Sequence, residues 1–143
     1  MAVLEPTQIR LSGTARTKED AIAEAAAILV AAGAVEPGYL DYMLERERTV
    51  STYMGNFLAI PHGTNEGKDT ILDSALSFVR YDEPLDWGGE EVRFVVGIAG
   101  KDNGHMEILT KIAIVFSEDD DVAKLLEAQT PEQILDILGD IND

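Results

Sequence analysis

Hydrophobic residues near the start of the chain recur at the spacing of an amphipathic helix. In residues 18–33 the repeated apolar positions are Ile22, Ala25, Ala26 and Leu29. They share one face at a period of 3.6 residues. Thr17 suits the N-cap of this helix and Gly33 suits its end. Residues 36–48 predict a second helix, whose charged end has the sequence Glu45-Arg46-Glu47-Arg48.

The middle of the chain changes to short, continuous apolar runs, which predict strands rather than helices. These runs cover residues 9–15, 57–60, 74–80 and 92–99. The intervening segments are rich in turn-forming residues. We therefore predict a turn-rich connection over residues 49–56, a loop over 63–68 and a long polar surface loop over 81–91.

The helical period returns at His105 and continues to the end of the chain. One predicted face is formed by Met106, Leu109, Ile112, Ala113 and Phe116. A short helix follows over residues 119–128, with acidic residues at its start, where they suit the helix dipole. Residues 130–139 predict a last helix, with Thr130 as N-cap, Gln133 as capping-box partner and Gly139 as the stop.

The order of these elements predicts an α/β fold in one domain over residues 1–143. The runs 74–80 and 92–99 are joined by loop alone and can pair as antiparallel neighbours. We therefore expect a mixed parallel and antiparallel sheet that is flanked by helices on both faces.

The composition excludes several classes of function. With 27 acidic and 11 basic residues the net charge is -16, so nucleic acid and anionic membrane surfaces repel the chain. There is no cysteine, no apolar run approaches the ~20 residues that span a bilayer, and the N-terminus does not resemble a signal peptide. We expect a cytoplasmic protein that neither binds nucleic acid nor inserts into a membrane.

His62 is the first candidate for chemistry. It follows the apolar run 57–60 and lies between Pro61 and Gly63. Proline restricts the backbone, and glycine permits a tight turn without a side chain that would block the imidazole. Open α/β sheets place their sites at the carboxyl ends of strands. A histidine that merely caps a surface turn is the alternative.

His105 is the second candidate, because it also follows an apolar run and begins a predicted helix. A helix N-terminus lowers the pKa of a histidine and favours the neutral ring. A solvent-facing residue in a first helical turn is the alternative. Both histidines can lie at the same edge of one sheet.

Other chemistries find little support in the sequence. No serine lies in a GxSxG elbow, no HxxxH, HxH or HExxH spacing predicts a metal site, and no GxxxxGK[ST] loop predicts a triphosphate site. A neutral imidazole can instead accept a phosphoryl group, provided that local donors stabilise its charge. Arg46 and Arg48 are candidate donors, although an alternating charged stretch usually forms a solvated face.

Two segments carry a resemblance to a known family. "MLERERTVSTYMGNFLAIPHGT" and "VVGIAGKDNGHMEIL" resemble the two active-site segments of the mannitol/fructose family of IIA proteins of the bacterial phosphoenolpyruvate-dependent sugar phosphotransferase system. The resemblance covers essentially the whole chain and is greatest for the mannitol branch. It implies a mixed sheet flanked by helices and no metal or organic cofactor.

The resemblance also implies a role for each candidate. His62 would accept a phosphoryl group on Nε2 from the phosphocarrier protein HPr and pass it to a IIB domain. His105 would be its hydrogen-bonding partner, and Arg46 would neutralise phosphate charge. Gly104 departs from the family, since mannitol-type relatives often have an acidic residue there. Tyr53, Met54 and Phe57 are the expected apolar rim for docking.

Three alternatives remain open at this point. The chain can be a fructose-specific IIA protein, or a regulatory module of the nitrogen branch whose phosphorylation controls its binding to other proteins. A metal-binding domain without catalysis is the third alternative, which metal analysis would test.

Overall fold

The computed structural model describes residues 3–101 and 105–142, and the side chains of His105 and Asp140 lie outside this description. The helices are α1 (Lys18–Ala31), α2 (Tyr39–Thr49), α3 (His105–Phe116), α4 (Asp119–Glu127) and α5 (Pro131–Leu138). The strands are β1 (Ile9–Arg10), β2 (Tyr53–Gly55), β3 (Leu58–Ala59), β4 (Ala75–Trp87) and β5 (Glu90–Ala99). Short 3-10 helices cover Pro6–Gln8, Asn65–Thr70 and Asp140–Asn142.

The predicted helix ends are confirmed. The Thr17 side chain accepts a hydrogen bond from the Asp20 amide at the start of α1. Thr130 accepts one from the Gln133 amide at the start of α5. The Gln133 side chain, however, accepts from the amide of Gln129 rather than from that of Thr130, so the capping box is only half formed.

The five strands form one sheet in the order β1-β4-β5-β3-β2. The pairs β1–β4 and β3–β5 are parallel, whereas β4–β5 and β2–β3 are antiparallel. The predicted mixed sheet is confirmed, and so is the antiparallel pairing of the two longest strands. The two central strands, β4 and β5, have near-continuous apolar runs because both faces of the sheet are covered.

Side-chain alternation along the strands divides the core into two layers. On one face α1 and α2 pack against residues such as Val79, Tyr81 and Val95. On the other face α3, α4 and α5 pack against residues such as Phe78 and Phe94. The predicted arrangement of helices on both faces is therefore confirmed.

The surface loop predicted over residues 81–91 is wrong. β4 continues to Trp87 and β5 begins at Glu90, so the two strands form a long hairpin. Gly88 and Gly89 make its two-residue turn with positive φ values of 64° and 96°, which matches the twist of an antiparallel pair. Leu85 and Trp87 alternate with polar residues and are buried.

Four smaller predictions also need correction. Residues 49–56 are not only a turn, because β2 occupies Tyr53–Gly55 and pairs with β3. The loop predicted over 63–68 contains most of the 3-10 helix Asn65–Thr70. In α3, Met106 is exposed rather than part of the buried face, which is formed instead by Ile108, Ile112 and Phe116. The strand predicted over 9–15 is shorter, since β1 covers only Ile9–Arg10.

Candidate functional site

His62 follows β3 in the chain and lies beyond the carboxyl end of this strand. Beyond β3, the amide of Ile98 in β5 donates to the Pro61 carbonyl at 3.0 Å. His62 itself forms an isolated parallel bridge with Ile98. The backbone of His62 is thus held against the end of a central, buried strand, as its position after an apolar run predicted.

The imidazole of His62 is half-buried and its orientation is set by its own segment. Nδ1 lies 2.8 Å from the carbonyl oxygen of Ile60. A carbonyl can only accept, so Nδ1 carries the hydrogen in this pair, and in the neutral ring the lone pair lies on Nε2. This is the nitrogen that a nucleophilic role requires.

Tyr39, in the first turn of α2, holds the residue after His62. Its hydroxyl accepts a hydrogen bond from the Gly63 amide and donates one to the Ile98 carbonyl, each at 2.8 Å. Tyr39 is only 2% exposed. Burial raises the pKa of this phenol, partly offset by the Gly63 amide, which donates to its oxygen. The hydroxyl therefore stays protonated and can serve both segments.

The packing of Tyr39 explains why residue 63 is glycine. A Cβ atom on Gly63 would lie 2.5 Å from Cε1 of the Tyr39 ring. No real Cβ contact is that short, so a side chain here would displace the ring or the backbone of His62.

His62 and Arg46 line the same open cavity, which has a volume of about 810 Å³. Arg46 is half-buried near the end of α2, and its guanidinium donates to the Val50 carbonyl at 2.7 Å. Arg48 is exposed and does not line the cavity. Of the two arginines in the charged stretch, only Arg46 lines the cavity that contains His62. The side chain of His105 lies outside the described residues, although α3 begins at this residue.

The cavity adds charged groups that were not singled out in the sequence. Lys68 and Lys101 line it beside Arg46, together with Glu66 and Asp69. The chain has a net charge of -16, and the three cationic side chains in the cavity of His62 locally oppose its negative electrostatic field. Lys101 is fixed by a hydrogen bond from Nζ to the Leu72 carbonyl at 3.0 Å.

Thr64 is a further cavity residue that sequence reasoning missed. Its Oγ1 is buried and makes no hydrogen bond with the described residues. Buried hydroxyls nearly always have a hydrogen-bond partner. The Thr64 hydroxyl is therefore unusual, and it lies in the same cavity as His62, the candidate acceptor of a phosphoryl group. Neither Tyr39 nor Thr64 had a distinguishing sequence signal, because a tyrosine in an amphipathic helix and a threonine in a turn are both common.

The four residues of the charged stretch of α2 lie in different environments, and Glu47 is the buried one. Its buried carboxylate accepts from the Thr52 amide and hydroxyl and, at 3.1 Å, from Nε1 of Trp87. Lys18 lies 3.7 Å away. The alternating residues 45–48 are therefore not a uniform solvated face, since Arg46 lines the cavity, Glu47 enters the core and only the outer two residues are exposed.

The mixed sheet flanked by helices and the cavity that holds His62 and Arg46 agree with what the resemblance to the IIA family implied. The family model described as "Phosphoenolpyruvate-dependent sugar phosphotransferase system, EIIA 2" matches residues 2–141. The chain belongs to this family, and the predicted resemblance is confirmed.

Curated relatives agree over nearly the full chain. The "Mannitol-specific phosphotransferase enzyme IIA component" of Halalkalibacterium halodurans is 48% identical over 141 residues, covering 99% of this chain and 97% of the relative. The protein of the same name from Bacillus subtilis (strain 168) is 42% identical over 143 residues, covering 99% of this chain and 100% of the relative.

Solved structures have the same fold. The crystal structure of IIA mannitol from Escherichia coli has a TM-score of 0.88 and 35% identity, over 95% of this chain and 99% of that one. A complex of enzyme IIA mannitol and phosphorylated enzyme IIB mannitol from the same organism also gives a TM-score of 0.88 and 35% identity, over 94% and 96% of the two chains. The nitrogen regulatory protein IIA-Ntr from Neisseria meningitidis has a TM-score of 0.80 and 25% identity, over 96% and 97%.

Two further observations concern membranes and metals. None of the helices in residues 3–101 and 105–142 combines the length and apolar character that crossing a bilayer requires. Within the same ranges, no group of three or more His, Asp or Glu side chains is arranged to hold a metal ion.

Proposed function

We propose that this protein is a phosphohistidine carrier in the uptake of a sugar alcohol, most specifically mannitol. His62 accepts a phosphoryl group from phosphorylated HPr in the cytoplasm and passes it to a IIB domain. The single observation that carries the proposal is the 2.8 Å contact between Nδ1 of His62 and the Ile60 carbonyl, because it leaves the lone pair on Nε2.

The transfer is a displacement at phosphorus. The Nε2 lone pair of His62 forms the new N–P bond while the bond between phosphorus and the donor breaks, and the donor keeps that electron pair. A nucleophile on the IIB domain then attacks phosphorus, and the electron pair of the N–P bond returns to Nε2. Such transition states are loose, so the protein contributes mainly by positioning and by stabilising charge.

Arg46 supports this reaction by its place in the cavity. A guanidinium remains protonated and offers several N–H donors to phosphoryl oxygens. Lys68 and Lys101 add positive charge to the same cavity. These groups offset the acidic surface of the chain where a phosphoryl group must arrive, and His105 at the start of α3 is proposed to stabilise the phosphorylated ring.

The assignment of partner and sugar is supported by the relatives. One solved relative is a complex of enzyme IIA mannitol with phosphorylated enzyme IIB mannitol, and the curated relatives are mannitol-specific. The apolar rim predicted for docking has Met54 exposed, with Tyr53 and Phe57 half-buried. Its role in docking stays a prediction.

Incubation with phosphoenolpyruvate, enzyme I and HPr tests the acceptor. The mass should increase by one phosphoryl group, which acid should remove. His62→Ala should abolish the gain, and His105→Ala is the matched control that should still accept the group but hold it less stably. Unchanged phosphorylation of His62→Ala would refute the assignment.

The role of Arg46 is tested against its neighbour in the same stretch. Arg46→Gln should slow transfer from phosphorylated HPr by about 10²-fold, the usual loss for one charge-stabilising donor. Arg48→Gln should leave the rate unchanged, because Arg48 does not line the cavity. Equal losses in both variants would show that overall charge, and not Arg46 itself, matters.

A membrane assay distinguishes the carrier from a regulatory module. Added to membranes with the mannitol-specific IIB and IIC domains, the protein should restore phosphorylation of mannitol. If it restores nothing while binding a regulatory protein in one phosphorylation state, the nitrogen-branch alternative is correct.

A further inference from the structure

The parallel pairing between β5 and the segment that holds His62 includes a side chain at the mouth of the cavity. Its first rung is intact, since the Ile98 amide donates to the Pro61 carbonyl at 3.0 Å. In a regular parallel pair the Gly63 amide would donate next to the Ile98 carbonyl. Here the Tyr39 hydroxyl joins these two groups, because it accepts from the Gly63 amide and donates to the Ile98 carbonyl.

This insertion fixes the backbone on both sides of His62. Pro61 is bonded directly to β5 and Gly63 is bonded to β5 through one phenol oxygen. Both hydrogen bonds of that oxygen are 2.8 Å long, and Tyr39 is nearly inaccessible to water, which could otherwise replace them. The Tyr39 ring also fills the space where a side chain on residue 63 would lie.

The backbone position in turn determines the state of the ring. The bond from Nδ1 to the Ile60 carbonyl spans only two residues, so it depends directly on the backbone angles between Ile60 and His62. A shift of Gly63 away from β5 would rotate these angles. The selection of the Nδ1–H tautomer is therefore coupled to the Tyr39 hydroxyl.

We propose that Tyr39 is a positioning residue, whose hydroxyl, inserted between Gly63 and Ile98, keeps His62 in the orientation and tautomer that place the lone pair on Nε2. The consequence for phosphoryl transfer rests on the proposed function, whereas the effect on the His62 ring does not. Tyr39 acts through the backbone and needs no contact with the phosphoryl group.

Tyr39→Phe removes the hydroxyl and keeps the ring, and Tyr81→Phe is the matched control. Tyr81 is equally buried, and its hydroxyl donates to Glu24 at 2.6 Å outside the cavity. Each variant loses a buried tyrosine hydroxyl, which makes two hydrogen bonds at Tyr39 and one at Tyr81. The measurements are the ring nitrogen shifts of His62, the hydrogen exchange of the Gly63 amide, and the transfer rate at several concentrations of phosphorylated HPr.

For Tyr39→Phe we expect a larger fraction of the Nε2–H tautomer and faster exchange at Gly63. At saturating donor the transfer rate should fall at least ~10-fold, since small misplacements of a reacting group are costly. The donor concentration that gives half the maximal rate should be unchanged. Tyr81→Phe should lose stability without any of these effects.

Two results would overturn the proposal. One is a wild-type tautomer and transfer rate in Tyr39→Phe, and the other is an equal change in both variants, which would make the effect one of general stability. If the wild type accepts no phosphoryl group, the proposed function fails, while the tautomer measurement still decides the role of Tyr39. If Tyr39→Phe does not fold, 3-fluorotyrosine at position 39 replaces it. The more acidic phenol should alter exchange at Gly63 and the tautomer, and no change would overturn the proposal.

Discussion

Replacing Gly63 by alanine tests how tightly the backbone around His62 is packed. The new Cβ atom would lie 2.5, 3.0 and 3.2 Å from Cε1, Cζ and Cδ1 of Tyr39. All three distances are shorter than ordinary carbon–carbon contacts of about 3.5–4.0 Å. Either the ring or the 61–63 backbone must move.

The cost follows from what each movement breaks. Overpacking of a well-packed core costs about 1–3 kcal/mol. The ring cannot move away freely, because its hydroxyl holds two hydrogen bonds, each worth about 1 kcal/mol. We therefore expect Gly63→Ala to lower the free energy of unfolding by about 2–4 kcal/mol, which corresponds to a fall in Tm of about 6–12 °C for a chain of this size.

Urea unfolding followed by circular dichroism measures this loss, and Gly38→Ala is the control. A Cβ on Gly38 meets no atom within 4 Å, and its φ of -65° and ψ of -15° suit alanine. Its effect should therefore stay below about 1 kcal/mol. In a Tyr39→Leu background, Gly63→Ala should cost less than half as much, because the smaller side chain leaves room. An equal cost for the two glycine substitutions, or no relief in that background, would refute the packing argument.

Three further predictions concern groups away from that contact. Burial alone would raise the pKa of Glu24, but hydrogen bonds, that of Tyr81 foremost, outweigh it and lower the pKa. The stabilisation is therefore present above the ordinary carboxyl pKa and lost as the pH falls through the lowered one, so Glu24→Gln should flatten the acid limb of stability in urea unfolding at a series of pH values. Thr64→Val replaces an orphaned hydroxyl and should leave thermal stability unchanged or raise it by about 1 kcal/mol, while shortening the lifetime of the phosphorylated form. A clear loss of stability would show that the hydroxyl has a partner. Trp87→Phe removes the hydrogen bond to the buried carboxylate of Glu47 and should cost about 1–3 kcal/mol in the same unfolding assay; no loss would mean that this bond is unimportant.

The sequence predicted those parts of the fold that depend on neighbouring residues. Helix ends at Thr17 and Thr130 are set by side chains within three residues, so local patterns suffice. Strand pairing joins distant segments, and the polar stretch after Tyr81 concealed that β4 continues to Trp87. The two glycines at positions 88 and 89 suit a hairpin turn, but the polar residues around them favour a loop.

The candidate site likewise contains residues that local sequence predicts and residues whose role depends on tertiary packing. The tight Pro-His-Gly arrangement predicted His62 because the restriction of its backbone is local. Tyr39 could not be predicted, since its role arises only when α2 packs beside the end of β5. The charged stretch alone does not distinguish Arg46 from Arg48, although the family resemblance favours Arg46, and the rotation of α2 about its axis directs Arg46 toward the cavity.

The place of β5 in the sheet has a consequence for the order of events during synthesis. β3 has its parallel partner in β5, which follows it in the chain, and Tyr39 needs the Ile98 carbonyl at the end of that strand. A nascent chain that ends before residue 98 therefore lacks the Ile98 backbone groups that bind Pro61 and Tyr39 and so orient the His62 imidazole. The earlier segments can form helices and a short hairpin on the ribosome, but His62 acquires its final geometry only after the later strand has emerged and inserted between its neighbours.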